Sequence, residues 1–329
     1  MRTLFYLLVF VMLPQLSFGQ QRAGYSNFLL NNYYFNPAIA GSKKVHEANI
    51  AYRNQWVGFE GSPTLMMANF QGSFKNQGKS GYGVTAVSER KGITQNSTLY
   101  LNYAYHFRLS EKIKMGLGIQ PGYMQYRVRL YDAQVADPGD EVLTGTVYSA
   151  NAFDVSAGFH LYSDKFFVMG AAHRVLGKQI KFTSYNTNLE FHFDGIAGYN
   201  FHFKTKKKKI FELQPSALVR YTKPIPLQVI GMLKGTYDGK YWLGFLYRSS
   251  DAIGISAGVK IKDRFTVGYG YDYTISRLSN YQSGSHEVML SFIITKEKPS
   301  LEKQDEDLNN SILEEMQIEM EMENDKNKK

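Results

Sequence analysis

The chain has no cysteine, which excludes a disulfide framework, thiolate catalysis and Cys-ligated zinc or iron–sulfur centres. Beyond its first residues it has no long apolar run. The mean hydropathy of −0.33 excludes a bundle of membrane-spanning helices, each of which needs about 20 apolar residues. Tryptophan is scarce, with 2 in 329 residues, yet there are 24 Tyr and 22 Phe, and aromatics make up 15%. A chain that is polar on average but rich in aromatics suits a transmembrane β-barrel, which spends only every second residue on lipid.

The first residues set the compartment. Arg2 precedes an apolar run from Leu4 to Leu13, followed by Pro14, Gln15 and the small residues Ser17 and Gly19. This is the pattern of a secretory signal peptide, with cleavage expected after Gly19. The run is too short for a bilayer-spanning helix. The net charge of +9 is unevenly spread: residues 297–329 carry eleven acidic and five basic side chains, which leaves +14 on residues 20–296 once Arg2 is set aside. Export argues against nucleic acid as the counter-charge. Anionic lipopolysaccharide or a peptidoglycan-side partner is the natural alternative, and solvated loops are the plainer one.

Period-two alternation dominates the body. Leu99, Leu101, Tyr103, Tyr105 and Phe107 alternate with Tyr100, Asn102, Ala104 and His106, and Phe265, Val267, Tyr269, Tyr271 and Tyr273 alternate with Thr266, Gly268, Gly270 and Asp272. The pattern predicts about fourteen antiparallel strands, at 45–56, 64–74, 81–90, 97–110, 112–127, 154–163, 165–175, 188–203, 211–222, 227–237, 240–249, 252–262, 264–274 and 284–294. Twelve or sixteen strands remain open if a hairpin is misread. Their length and one-sided apolarity suit a membrane barrel better than a soluble sandwich. Long connections fall at 128–153, 176–187 and 275–283, and tight ones at Ser110-Glu111, Ser163-Asp164, Asp238-Gly239 and Asp263. Short turns belong to the periplasmic side, so an even count places both termini in the periplasm. The expected organisation is a signal peptide at 1–19, an outer-membrane barrel at 20–296 and an acidic periplasmic tail at 297–329.

Other features are weaker. The run Lys206 to Lys209 is either a docking patch or a solvated turn, and Leu308, Ile312, Met316 and Met320 recur at helical spacing in the tail, read equally as an acidic amphipathic helix or a disordered segment. Gly254-Ile255-Ser256-Ala257-Gly258 matches a nucleophile elbow by letter only, because it falls inside an alternating strand instead of a strand-to-helix turn. Asp132, Asp137, Asp140 and Glu141 have the oxygen ligands Ca²⁺ takes but match no known loop spacing. Gly116, Gly118 and Gly122 read as small barrel-interior residues and not as a phosphate cradle, and the seven His show no paired ligand spacing. No catalytic residue, cofactor or metal is expected.

A set of ordered motifs resembles a known family. Tyr33-Tyr34-Phe35-Asn36-Pro37-Ala38-Ile39-Ala40-Gly41-Ser42 comes first, then Arg53, Gln55 and Trp56 in Tyr52-Arg53-Asn54-Gln55-Trp56. Pro215-Ser216, Val219-Arg220-Tyr221, Tyr247-Arg248, Tyr271-Asp272 and Gly284-Ser285-His286-Glu287 follow in order. Together these resemble the PorP/SprF family of the type IX secretion system of Bacteroidota, over about residues 20–295. The resemblance implies a non-enzymatic outer-membrane barrel that binds a specific exported surface protein, adhesin-like, and helps to secrete or anchor it. Its implied partners are that cargo, periplasmic components of the secretion apparatus and outer-membrane lipid. Asn36-Pro37 is expected to fix a turn before the first strand. Arg53, Arg248, Asp272 and Glu287 are expected as lumen ion pairs, with cargo contact as the other reading. A passive porin or solute transporter is the competing function, and a barrel-borne hydrolase using Ser256 a distant third.

Overall fold

The computed structural model describes residues 24–74, 78–130, 147–177, 179–181, 186–188, 191–205, 209–222 and 225–294. The expectations for the signal peptide, the Asp132–Glu141 loop, Lys206–Lys208 and the acidic tail lie outside these residues.

Alternating sequence becomes alternating exposure. In Tyr241–Arg248, the residues Tyr241, Leu243, Phe245 and Tyr247 face outward while Trp242, Leu246 and Arg248 are buried, as a two-residue side-chain period requires. The strands are β1 (Glu47–Asn54), β2 (Thr64–Ser73), β3 (Ser80–Lys91), β4 (Thr94–Arg108) and β5 (Lys114–Arg129). Next come β6 (Val147–Tyr162), β7 (Phe166–His173) and β8, which runs His192–Tyr199 and resumes at Phe201–Lys204 after a break at Asn200. The last are β9 (Ile210–Thr222), β10 (Ile225–Tyr237), β11 (Tyr241–Arg248), β12 (Ala252–Ile261), β13 (Phe265–Thr274) and β14 (Ser285–Ile293). Each pairs antiparallel with its sequence neighbours, and β1 pairs with β14 from Glu47↔Ile293 to Asn54↔His286, closing a fourteen-stranded barrel. Closure leaves the barrel sheet no free edge among the described residues, which is what hydrocarbon demands of a spanning sheet.

The outer wall is apolar: Leu99, Leu101, Tyr103, Tyr105, Leu117, Ile119, Phe153, Phe245, Ile255 and Tyr269 are all exposed on it. The inner wall buries Asn49, Asn69, Gln71, Thr85, Asn102, Gln120 and Ser156. This inversion of the soluble pattern is that of an outer-membrane barrel.

Two sequence expectations need correction at the long-connection end. The loop expected at 128–153 is shorter, because β6 begins at Val147 and pairs with β5 as far as Val147↔Arg129. The outward pair Tyr123 and Phe153, with ring centroids 5.1 Å apart, is the last aromatic level there. Above it the outward pairs Gln125↔Asn151 and Arg127↔Ser149 are polar and only Val147 at the strand's start is apolar, so the hairpin rises past the apolar belt with little hydrophobic contrast to betray it. Its inner face has its own small core of Met124, Val128, Ala150 and Ala152. The second concerns the residues before β1: Asn36-Pro37 does fix a turn there, but the turn belongs to a segment, Gly24–Gly41, that lies inside the barrel.

Candidate functional site

The segment 24–41 fills the lumen. It contains a one-turn helix, α1 (Asn32–Phe35), and a 3-10 turn at Pro37–Ile39. Tyr25, Phe28, Tyr33, Phe35, Ala38, Ile39 and Ala40 are all buried. They form the main apolar core with wall residues such as Leu65, Met67, Met169, Leu218, Ile230 and Met289. This core holds a plug against a wall, which explains apolar side chains on an otherwise polar inner face.

The Asn-Pro-Ala motif makes the tightest contacts. Asn36 Oδ1 accepts from Ala38 N at 2.8 Å, capping the 3-10 turn, while Asn36 Nδ2 donates to the Phe159 carbonyl at 2.7 Å and the Gly170 carbonyl at 3.2 Å. Pro37 sits at the first turn position, where a missing N–H costs nothing, and its carbonyl accepts from Asn102 Nδ2 at 3.0 Å. The Ala40 carbonyl accepts from His106 Nε2 at 2.8 Å. Gly41 has φ +76° and backs onto Gly81, where an added Cβ would overlap the Ala40 carbonyl. A Cβ on Gly118 would overlap Ala38 N and lie 2.7 Å from Ala38 Cα. Gly118→Ala is therefore expected to destabilise the barrel by about 1–3 kcal/mol, the usual cost of overpacking. Gly231→Ala, whose Cβ meets nothing within 4 Å, is the control, and denaturant unfolding of both reads the difference.

Charge fastens the plug at the end with the long connections. Arg53, 1% exposed, bridges Asp272 Oδ2 at 2.7 Å and Glu287 Oε2 at 3.2 Å. Arg248 reaches Asp272 Oδ2 at 3.1 Å and Asp251 Oδ2 at 2.8 Å. The four residues flagged by motif thus meet, and register explains why: Arg53 lies directly opposite Glu287 across the β1–β14 seam. The acceptors that remain go to the plug. Ser26 N donates to Glu287 Oε2 at 2.8 Å, Asn27 Nδ2 donates to Glu287 Oε1 at 2.9 Å, and Ser26 Oγ donates to Asp272. Charges buried this deeply persist only when paired and hydrogen-bonded. Nearby, the Tyr25 hydroxyl donates to the Ala51 carbonyl at 3.2 Å.

A second polar cluster holds Phe35. His192 and His173 lie opposite each other on β8 and β7 with rings stacked 4.5 Å apart, and Asp194 takes a bidentate grip from Arg220 at 2.7 and 3.2 Å. His173 Nε2 donates to the Phe35 carbonyl at 3.1 Å, and the Arg220 guanidinium lies 5.7 Å from the Phe35 ring centroid. Among the described residues His173, His192 and Asp194 form the group with metal-ligand spacing. The plug and Arg220 already engage His173 and Asp194, so the cluster serves as a plug contact. Sequence reading missed it, because the two His are paired by strand register and not by spacing along the chain. It also missed Ser26, Asn27 and Asp251.

At the same end, the 55–63 and 275–284 connections are stapled together. Val57 N donates to the Gly284 carbonyl at 2.8 Å, Ser283 N returns the bond to the Val57 carbonyl at 2.8 Å, and Trp56 N donates to Ser285 Oγ at 3.1 Å. The Tyr271 hydroxyl donates to the Ser283 carbonyl at 2.8 Å, and Tyr269 pairs with His286 at 2.7 Å. Gln55 is buried below them, whereas Tyr247 points outward from β11 and joins neither the staple nor the lumen clusters. Phe59 and Tyr281 project from the stapled connections, 43% and 70% exposed. At the opposite end Lys209 pairs with Asp238 at 3.1 Å, which holds the Asp238 carboxyl below its usual range. Ser256 lies mid-strand on β12 facing the lumen, not on an elbow.

Among solved structures, the chain is similar to a Pseudomonas aeruginosa FadL homologue (9% identity, 78% of this chain and 91% of that one, TM-score 0.43). It is also similar to the Ralstonia pickettii toluene transporter TbuX (10% identity, 84% and 96%, TM-score 0.45). No curated protein matches by sequence. The sequence profile of a family described as type IX secretion system membrane protein PorP/SprF matches residues 17–292. A match over that much of the chain, on a closed barrel carrying the ordered motifs, means that the chain belongs to the PorP/SprF family of type IX secretion system membrane proteins.

Proposed function

We propose that this barrel is a sealed, non-enzymatic anchor for an exported surface protein. The observation that carries the reading is the plug: a lumen filled by residues 24–41 and pinned by Arg53, Asp272 and Glu287 favours binding at the rim over solute passage. The long-connection end faces outward, and the short turns and the end of β14 face the periplasm. Gly24, by contrast, lies at the outward end, where it lines one small cavity with Gln55, Gln228 and Arg248. In this reading strand parity puts the start of β1 on the periplasmic side, and the plug reaches it from the outward end. In this reading residues 1–19 are the cleaved signal peptide and 297–329 a periplasmic tail offered to the secretion apparatus.

Cargo would dock on the stapled connections, with Phe59 and Tyr281 as aromatic anchors of the kind that dominate interfaces. A deletion strain should lose surface display of one exported protein while its other exports persist. Phe59→Ser with Tyr281→Ser should reduce that display by about tenfold, with the barrel level unchanged on immunoblots. Normal display of every exported protein in the deletion strain would sink the proposal.

A further inference from the structure

The short-connection end carries a feature that neither the plug nor the rim uses. A basin of about 500 Å³ opens there between the plug exit and the ends of β4, β5 and β6. Lys44, Lys79, Arg108 and Lys114 line it, and no carboxylate is among its described lining residues. Some exposed cations elsewhere on the barrel face a carboxylate, as Lys43 faces Glu47 and Lys209 faces Asp238. The floor is fixed: His106 Nε2 donates to the Ala40 carbonyl at 2.8 Å, so its Nδ1 accepts from the Tyr162 hydroxyl at 3.3 Å. Lys114 Nζ is held 5.9 Å over the Tyr162 ring.

Two further lining residues, Tyr105 and Phe107, belong to the outer wall. They end the exposed ridge Leu99, Leu101, Tyr103, Tyr105, Phe107 on β4. The basin therefore begins where the lipid-facing surface stops, with cations at headgroup depth and an apolar track leading away from them. A water-borne acidic peptide would have no use for that track, whereas a phospholipid would use both parts. We infer that this basin binds an anionic phospholipid, its phosphate among Lys79, Arg108 and Lys114 and an acyl chain along the β4 ridge. Which leaflet supplies the lipid follows from the orientation proposed above, but binding itself does not depend on it.

Native mass spectrometry of the intact barrel in detergent tests this with phosphatidylglycerol and with diacylglycerol of the same chains. Wild type should retain phosphatidylglycerol and not diacylglycerol. Lys79→Gln with Arg108→Gln and Lys114→Gln should weaken retention by about tenfold or more, since each cation near an anionic headgroup contributes. These side chains are exposed or half-buried, and heat-modifiable gel migration confirms that the variant is folded. Equal retention by the variant, or equal retention of diacylglycerol, overturns the inference. Displacement by equimolar inorganic phosphate reduces the site to a free-anion site, and displacement by an equimolar polyglutamate peptide assigns it to an acidic protein. Either result overturns the lipid assignment.

Discussion

Excising residues 25–40 and bridging the gap with a short Gly/Ser linker is expected to turn a sealed barrel into a pore. Fourteen strands lie between the eight that side chains alone can fill and the sixteen to eighteen of aqueous porins. The interior is therefore too wide for the wall to close by itself, and the plug supplies what is missing: Phe28, Tyr33, Phe35 and Ile39 are each no more than 1% exposed. In planar bilayers the excised variant should conduct at least about tenfold more than wild type. Equal conductance would mean that the plug does not seal the lumen and would favour a transport function.

Replacing Arg53 by Met should cost about 3–5 kcal/mol, the usual penalty for removing one partner of a buried ion pair. Its two anions differ in what they have left. Asp272 still has Arg248 at 3.1 Å, whereas Glu287 has only backbone and side-chain donors from Ser26 and Asn27. Adding Glu287→Gln should therefore restore part of the loss, and the double-mutant cycle should show a coupling of more than about 1 kcal/mol. Because Glu287 also binds the plug, Arg53→Met should raise conductance alongside the fall in unfolding midpoint. A variant as stable as wild type would show that the cluster is an accessory and not a fastener.

What the sequence revealed depended on whether lipid lay on one side. Strands such as β4 and β13 were legible because each alternates an apolar face with a polar or small one. The start of β6 was not, because Ser149 and Asn151 face outward above the apolar belt and alternation there carries little hydrophobic contrast. The plug was invisible for a different reason. Its apolar residues follow no period, since they fit an irregular cavity, and sequence cannot distinguish that from a structured turn. The motif letters did mark it, and Asn36, Pro37, Ala38 and Gly41 all make plug contacts. The meeting of Arg53 with Glu287 needed the knowledge that the first and last strands pair. The pairing of His173 with His192 needed the register between β7 and β8.

One consequence concerns how the molecule is made. Gly24 lies at one mouth of the barrel and Glu47 begins the wall at the other, so the intervening chain passes through a ring that is covalently continuous with it. An end cannot readily be threaded through a finished cylinder whose bore is already matched to its side chains. The wall must instead be wound around the segment that precedes it, with the eight-residue seam between β1 and β14 zipped last. Arg53 and Glu287 face each other across that seam and both act on the plug, so the final suture and the fastening of the contents are the same chemical event. A barrel that closed empty would leave the Glu287 carboxylate at its seam without the donors that Ser26 and Asn27 supply.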